Sequence, residues 1–259
     1  MKIPIYQVDA FTDRTFSGNP AAVCPLENWL PDQALQSIAA ENNLAETAFF
    51  VRNGKGFDLR WFTPTVEVAL CGHATLASAY VLFRCQGLEH PEVLFHTKSG
   101  DLKVTRKGDL LSLDFPALPP EQTKPCPALV DGLGGNPEEI LASRDYLVVY
   151  RTEEQVRALQ PDMQKLNSVD KFGVIATSPG VDCDFVSRFF APAQGVPEDP
   201  VTGSAHCTLI PYWAERLRKT SLHARQISSR GGELFCELRG ERVEIAGHGA
   251  LYMQGSIEL

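Results

Sequence analysis

Three side chains that could move protons stand near two glycine-led turns in this sequence: Glu46, His73 and Asp199. Glu46 sits in Leu44-Ala45-Glu46-Thr47-Ala48-Phe49-Phe50, one carboxylate in an apolar setting. Desolvation disfavours a charge, so an isolated acid there is expected to have a raised pKa, as a general acid/base near neutrality needs. The plainer alternative is an outward-facing residue at the start of a strand. His73 follows Gly72 at the head of an apolar run, where the positive potential of a helix start favours a neutral imidazole able to donate one hydrogen bond. A lone histidine in that place fits a structural role equally well. Asp199, in Glu198-Asp199-Pro200-Val201-Thr202-Gly203-Ser204, precedes a second such run and could serve simply as its N-terminal cap. Gly72 and Gly203 open the two runs. A helix start offers unpaired N–H groups and about half a positive charge, which suits a carboxylate. Glycine there also lets helix and strand pack closely, with no ligand at all.

The elements that must hold these residues come in duplicate. Ser99–Leu113 (S-G-D-L-K-V-T-R-K-G-D-L-L-S-L) aligns without a gap on Gly231–Ile245 (G-G-E-L-F-C-E-L-R-G-E-R-V-E-I), an offset of 132 positions from 99 to 231. Each copy reads as a hairpin around a basic-Gly-acidic turn. Upstream, Trp61-Phe62-Thr63-Pro64 before Cys71-Gly72-His73-Ala74 matches Phe189-Phe190-Ala191-Pro192 before Thr202-Gly203-Ser204-Ala205, an offset of 131 from 72 to 203. Two matches in one order at nearly one offset indicate two homologous halves. The Pro-rich stretch 116–127 joins them, giving an N-terminal lobe over 1–116, with the last ten or so residues as a possible completion, and a C-terminal lobe over 117–259.

Each half has one helix that is apolar nearly all round and therefore expected to be buried: 73–85, stopped by Gly87, and 204–218, with Pro211 as a source of a kink. Short alternating strands are predicted over 3–8, 47–51, 57–61, 146–150 and 185–189, besides the hairpins. The fold class is thus α+β: two pseudo-symmetric lobes, each a strand barrel wrapped around a central helix. A dinucleotide-binding sheet fits poorly, since no G-x-G-x-x-G follows a strand.

The chain has 259 residues, 44% apolar and 22% charged, as in an ordinary globular protein of one large or two modest domains. No window approaches the ~20 apolar residues of a membrane span, and the start lacks the pattern of a signal peptide. Seven cysteines form an odd set without C-x-x-C spacing, which argues against a disulfide framework or a zinc site and for a reducing cytoplasm. A net charge of −8 without a basic run makes nucleic acid an unsuitable partner, so an anionic substrate must be attracted by local features.

The motifs taken together resemble the PhzF-like proteins of phenazine biosynthesis, within the diaminopimelate-epimerase-like fold. The matching pieces are Asp9-Ala10-Phe11 with Gly18-Asn19-Pro20-Ala21-Ala22-Val23, then Asn43-Leu44-Ala45-Glu46-Thr47-Ala48-Phe49, then Cys71-Gly72-His73-Ala74-Thr75. The last and most specific runs from Arg188-Phe189-Phe190-Ala191-Pro192 to Glu198-Asp199-Pro200-Val201-Thr202-Gly203-Ser204-Ala205-His206. The resemblance implies an active site between the lobes, with Glu46 as catalytic acid/base assisted by His73, Asp199 and Ser204. It implies that the backbone at Gly72-His73 and Gly203-Ser204 holds a small-molecule carboxylate substrate, and that Asn19 lines the same cleft. The implied reaction is the isomerisation of trans-2,3-dihydro-3-hydroxyanthranilate, in which one carboxylate removes a proton from one carbon and returns it to another. No metal or redox cofactor is called for. A cytoplasmic homodimer is expected by the same resemblance.

Related racemases place one cysteine in each lobe. Cys71 stands at the first position, but the offset of 131 puts Thr202 at the second, and a hydroxyl is far too weak an acid to mirror a thiol. Cys71 is therefore expected to be a packing residue. An epimerase or dehydratase acting on another small carboxylate, and a non-catalytic binding protein, stand as alternatives.

Overall fold

The structure is a computed structural model that describes residues 1–259, and the chain divides into two units, Met1–Asp114 with Ala246–Leu259, and Phe115–Ile245. The first carries β1 (Lys2–Ala10), β2 (Asn19–Leu26), α1 (Asp32–Asn42), β3 (Glu46–Asn53), β4 (Gly56–Phe62), β5 (Glu67–Val68), α2 (Gly72–Tyr80), β6 (Glu92–Thr97) and β7 (Gly100–Lys107), with β8 (Leu110–Pro116) leading out of it. β1 and β2 are antiparallel, β2 and β3 parallel, β3 and β4 antiparallel, β4 and β6 parallel, and β6 and β7 antiparallel.

α2 is the axis of this unit. Every residue from His73 to Ala79 is buried, and the helix packs on β1, β2 and β3. Its two internal hydroxyls turn back on the helix itself, Thr75 Oγ1 donating to Cys71 O at 2.6 Å and Ser78 Oγ to Ala74 O at 2.7 Å. No polar group on that face is thereby left unsatisfied in an apolar interior. The predicted single helix over 73–85 changes character after Tyr80. Val81–Cys85 is a π-helical turn, closed by Gln86 N–H on Val81 O at 2.9 Å, and Gly87 ends it at φ +70°.

α1 has no counterpart in the sequence expectation. Its Leu35, Ile38 and Ala39 pack with Ile3, Ile5, Ala22, Cys24, Phe49 and Phe62 in a core of their own. Alternate residues of β2 serve this core while their neighbours Ala21 and Val23 are buried as well. Strands covered on both faces read as continuous apolar runs rather than as alternation.

The second unit carries β9 (Glu121–Gln122), α3 (Pro127–Leu133), β10 (Glu139–Ala142), β11 (Tyr146–Val149), α4 (Glu153–Ala158), α5 (Met163–Leu166), β12 (Val174–Pro179), β13 (Phe185–Ala191), β14 (Val196–Asp199), α6 (Gly203–Leu217), β15 (Ser221–Gln226) and β16 (Gly232–Arg239). β17 (Arg242–Gly247) leads out, and β18 (Gly249–Glu258) belongs to the first unit. Here β11 and β12 are parallel, β12 and β13 antiparallel, β13 and β15 parallel, and β15 and β16 antiparallel. That is the order of pairings found for β2, β3, β4, β6 and β7. The turn glycines agree too: Gly108 and Gly240 lie at φ +64° and +62°, as the tight turns of the two predicted hairpins require.

α6 packs on β15 and β16. Pro211 inside it has no N–H, which frees the carbonyl of Cys207 four residues earlier, and Leu118 N–H donates to that oxygen at 2.8 Å. α3, α4 and α5 were likewise not foreseen. They cover the other side of the strands, with Leu129, Leu133, Val156 and Leu166 packed among Tyr146, Val148, Val174 and Phe190.

β18 explains why the last residues go with the first unit. It pairs antiparallel with the whole of β1, from Lys2 opposite Glu258 to Ala10 opposite Gly249, with one bulge at Gln7/Val8. No helix is long and apolar enough to cross a membrane.

Candidate active site

In the first unit Glu46 opens β3 and His73 occupies the first turn of α2. His73 Nε2 lies 3.1 Å from Glu46 Oε2, and the Cys71 Sγ lies 3.5 Å from His73 Nδ1. Cys71 is the N-cap residue of α2, with extended backbone and no side-chain capping bond. Both His73 and Cys71 are buried, while the Glu46 side chain keeps 18% exposure. Glu46 Oε2 is itself buried and faces the imidazole, so the two groups meet out of water.

This contact reverses two expectations. Glu46 is not an isolated acid. Burial pushes its pKa up, but His73 and the Cys71 thiol outweigh burial, and the carboxyl is held below its ordinary 4.5. His73 is not held neutral by the helix start. Burial disfavours the imidazolium, yet the partners beside it raise its pKa well above 6.5. Burial and the Glu46 charge together push the Cys71 thiol up to about 11, so near neutrality the charge acting on His73 is that of Glu46. Glu46 and His73 thus shift each other toward the charged forms, carboxylate and imidazolium. Glu46, Cys71 and His73 offer oxygen, sulfur and nitrogen within 4.8 Å of one another.

Asn19 is the first residue of β2 and fully buried. In the parallel register Ala21 faces Glu46, so Asn19 and Glu46 stand at the same end of neighbouring strands. Gly18 before it lies at φ +67°, and a Cβ there would come within 2.2 Å of Ala10 O. Only glycine lets the chain turn into β2 at this point.

In the second unit Asp199 ends β14 and Gly203 and Ser204 begin α6. Asp199 reaches the N-cap residue of that helix. Its Oδ2 accepts the hydroxyl of Thr202 at 2.5 Å, and Thr202 is the N-cap residue. Gln226 clamps the same loop: its Nε2 donates to Asp199 O at 2.8 Å and its Oε1 accepts from Thr202 N–H at 2.8 Å. Gln226 is missing from the sequence expectation, although the alternation of Leu222, Ala224 and Gln226 in β15 puts it in the buried phase. His206 Nδ1 bonds to Thr202 O at 2.9 Å, the place that Thr75 takes at the start of α2. Its burial pushes its pKa down to about 4, a core residue rather than an acid or base at neutral pH. Cys71 and Thr202 are the N-cap residues of the two equivalent helices, as the offset of 131 requires. Cys207 is deeper in α6 and its thiol is pushed by burial to about 12.

The sequence profile of the phenazine biosynthesis-like proteins (PhzC-PhzF) matches residues 8–255. An uncharacterized isomerase of Pseudomonas aeruginosa is 55% identical over 260 residues, covering 100% of both chains. The crystal structure of a phenazine biosynthesis protein of the PhzF family from Enterococcus faecalis superposes with a TM-score of 0.98 at 47% identity, covering 100% of both chains. A probable proline racemase from Agrobacterium radiobacter shares the fold, with a TM-score of 0.66 at 11% identity over 99% of this chain and 93% of that one.

Proposed function

The chain belongs to the phenazine biosynthesis-like PhzC-PhzF family, and from that premise we propose that it is an isomerase that moves a proton within a small unsaturated carboxylic acid by general acid/base catalysis. The observation that carries this reading is the buried contact of the Glu46 carboxylate with the His73 imidazole at 3.1 Å. Glu46 as carboxylate takes a proton from one carbon, becomes the neutral acid, and gives the same proton to a second carbon of the conjugated system. His73 stays protonated throughout and stabilises the carboxylate between turnovers. One acid/base serves both transfers on one face of the substrate, so no second thiol is needed.

The low pKa of Glu46 constrains the substrate. A carboxylate held below 4.5 is a weak base, and it can deprotonate only a carbon acid already activated by conjugation. A dihydroaromatic acid such as trans-2,3-dihydro-3-hydroxyanthranilate meets that condition. The N–H groups at Gly72-His73 are suited to its carboxylate, and so are those at Gly203-Ser204. Asp199 and Ser204 are further participants in this proposal, Asn19 a substrate contact. The protein is proposed to act in the cytoplasm as a homodimer.

Proton NMR in D₂O with that substrate tests the reading. Wild type is expected to isomerise it, and Glu46→Gln to lose turnover while keeping its fold. A Glu46→Gln enzyme with a near-normal rate would end the assignment of the base. Asp199→Asn and Ser204→Ala are expected to slow turnover, and unchanged kcat and KM in both would remove those two residues from the mechanism.

A further inference from the structure

Beside each central helix stands an arginine–glutamate pair that the chemistry above does not use. In the first unit Arg60 on β4 holds Glu67 on β5 in a two-pronged bond, Nε to Oε1 at 2.8 Å and Nη2 to Oε2 at 2.9 Å. In the second, Arg188 on β13 holds Glu198 on β14 with the same atoms at the same two distances. Each guanidinium also lies over the aromatic ring two residues on, Arg60 over Phe62 at 5.1 Å and Arg188 over Phe190 at 4.9 Å. Each glutamate stands four residues before the N-cap of its helix, Glu67 before Cys71 and Glu198 before Thr202. Chains that diverge after duplication keep a device at both places when both places need it.

The remaining donors show what is being fixed. Arg60 Nη1 reaches Asp32 in the first turn of α1 at 2.9 Å, and Arg188 Nη1 takes the carbonyls of Val156 and Leu159 at the end of α4, at 3.2 and 2.8 Å. All four charged side chains are at most one-quarter exposed, where planar bidentate bonds hold far better than surface ion pairs. Each pair therefore ties the short strand leading into a central helix to the sheet and to an outer helix.

We propose that Arg60–Glu67 and Arg188–Glu198 are positioning residues, which fix the segments that deliver Cys71-Gly72-His73 and Thr202-Gly203-Ser204 and so set the direction of the helix-start N–H groups. In the first unit the same constraint keeps His73 against Glu46. The inference rests on the acid/base reading of that pair. Lysine in place of either arginine keeps the charge and loses the fork, and glutamine in place of either glutamate loses the charge.

The test uses Arg60→Lys, Glu67→Gln, Arg188→Lys and Glu198→Gln in the full chain, with two readouts. One is kcat and KM for the isomerisation. The other is the titration of the His73 imidazole by ¹⁵N NMR in the free protein, where Glu46 and Cys71 are the titratable groups that face it. Arg60→Lys and Glu67→Gln are expected to lower kcat by ~10- to 100-fold, the effect of a small misplacement, and to move the His73 midpoint toward 6.5. Arg188→Lys and Glu198→Gln are expected to lower kcat/KM to a similar degree and leave that midpoint unmoved. If Glu67→Gln fails to fold, Arg60→Lys carries the test. Variants that lose only thermal stability, with kcat within twofold and His73 unshifted, would overturn the proposal. The NMR readout needs no substrate, so a wrong isomerase assignment and a wrong positioning role are told apart.

Discussion

Glu46 and His73 stand 3.1 Å apart, and the pH dependence of turnover follows from the directions in which they shift each other. The reaction needs Glu46 ionised, so activity falls as pH drops through its folded pKa, which lies below 4.5. It needs His73 protonated, so activity also falls as pH rises through a value well above 6.5. The profile of kcat/KM is expected to be flat between those limits. Replacing His73 by asparagine leaves burial unopposed by a positive charge, and the acid limb should then move upward from its wild-type position. A limb that stays in place would show that His73 does not control Glu46. Cys71 is expected to be dispensable to the chemistry, because its thiol keeps its proton to about 11 and its equivalent is Thr202. Cys71→Ala should retain most activity, and a loss beyond ~100-fold, or ~2.7 kcal/mol of barrier, would restore a thiol mechanism.

At the level of elements, the short strand β5 is held by a carboxylate with a strongly depressed pKa. The Arg60 fork, with Lys98 at 2.5 Å, brings Glu67 from 4.5 down to about 2 against its partial burial. A group whose folded pKa is depressed contributes stability that is full above its unfolded value and is lost as pH falls through the folded one. Unfolding by urea should therefore show wild type losing stability between about pH 4.5 and 2, while Glu67→Gln is less stable at neutral pH and flatter across that window. Equal slopes in the two proteins would mean that the fork contributes nothing to the fold. α2 is held differently, by apolar contact on every side, and truncating its fully buried Leu76 to alanine is expected to cost ~2–5 kcal/mol.

On the scale of the whole chain, the first unit depends on residues from both ends of the sequence. β1 lies between β2 and β18, and its pairing with β18 runs over its whole length. Deleting 249–259 would strip one edge of β1 of its hydrogen-bond partners, leaving buried polar groups unpaired. Hydrogen exchange of that truncated chain should show β1 and β2 losing protection while β11 to β13 of the second unit keep theirs. Full protection of β1 in the truncated chain would contradict this division of the fold.

The family and the α+β fold were legible in the sequence because duplication writes the same spacing twice. The offset of 131 between Gly72 and Gly203 reappears as two N-cap positions, and the two basic-Gly-acidic turns reappear as glycines with nearly equal φ. The apolar character of the helices likewise required burial, and α2 is buried throughout from His73 to Ala79. The outer helices α1 and α3 to α5 escaped notice, since their short, mixed patterns gain stability only once a sheet face is present to pack on. The ionisation of the candidate site was beyond local reading for a related reason. Glu46 and His73 are 27 positions apart, and each taken alone obeys desolvation or the helix start. Tertiary structure sets them in contact, and at 3.1 Å in a buried place the attraction between opposite charges outweighs both.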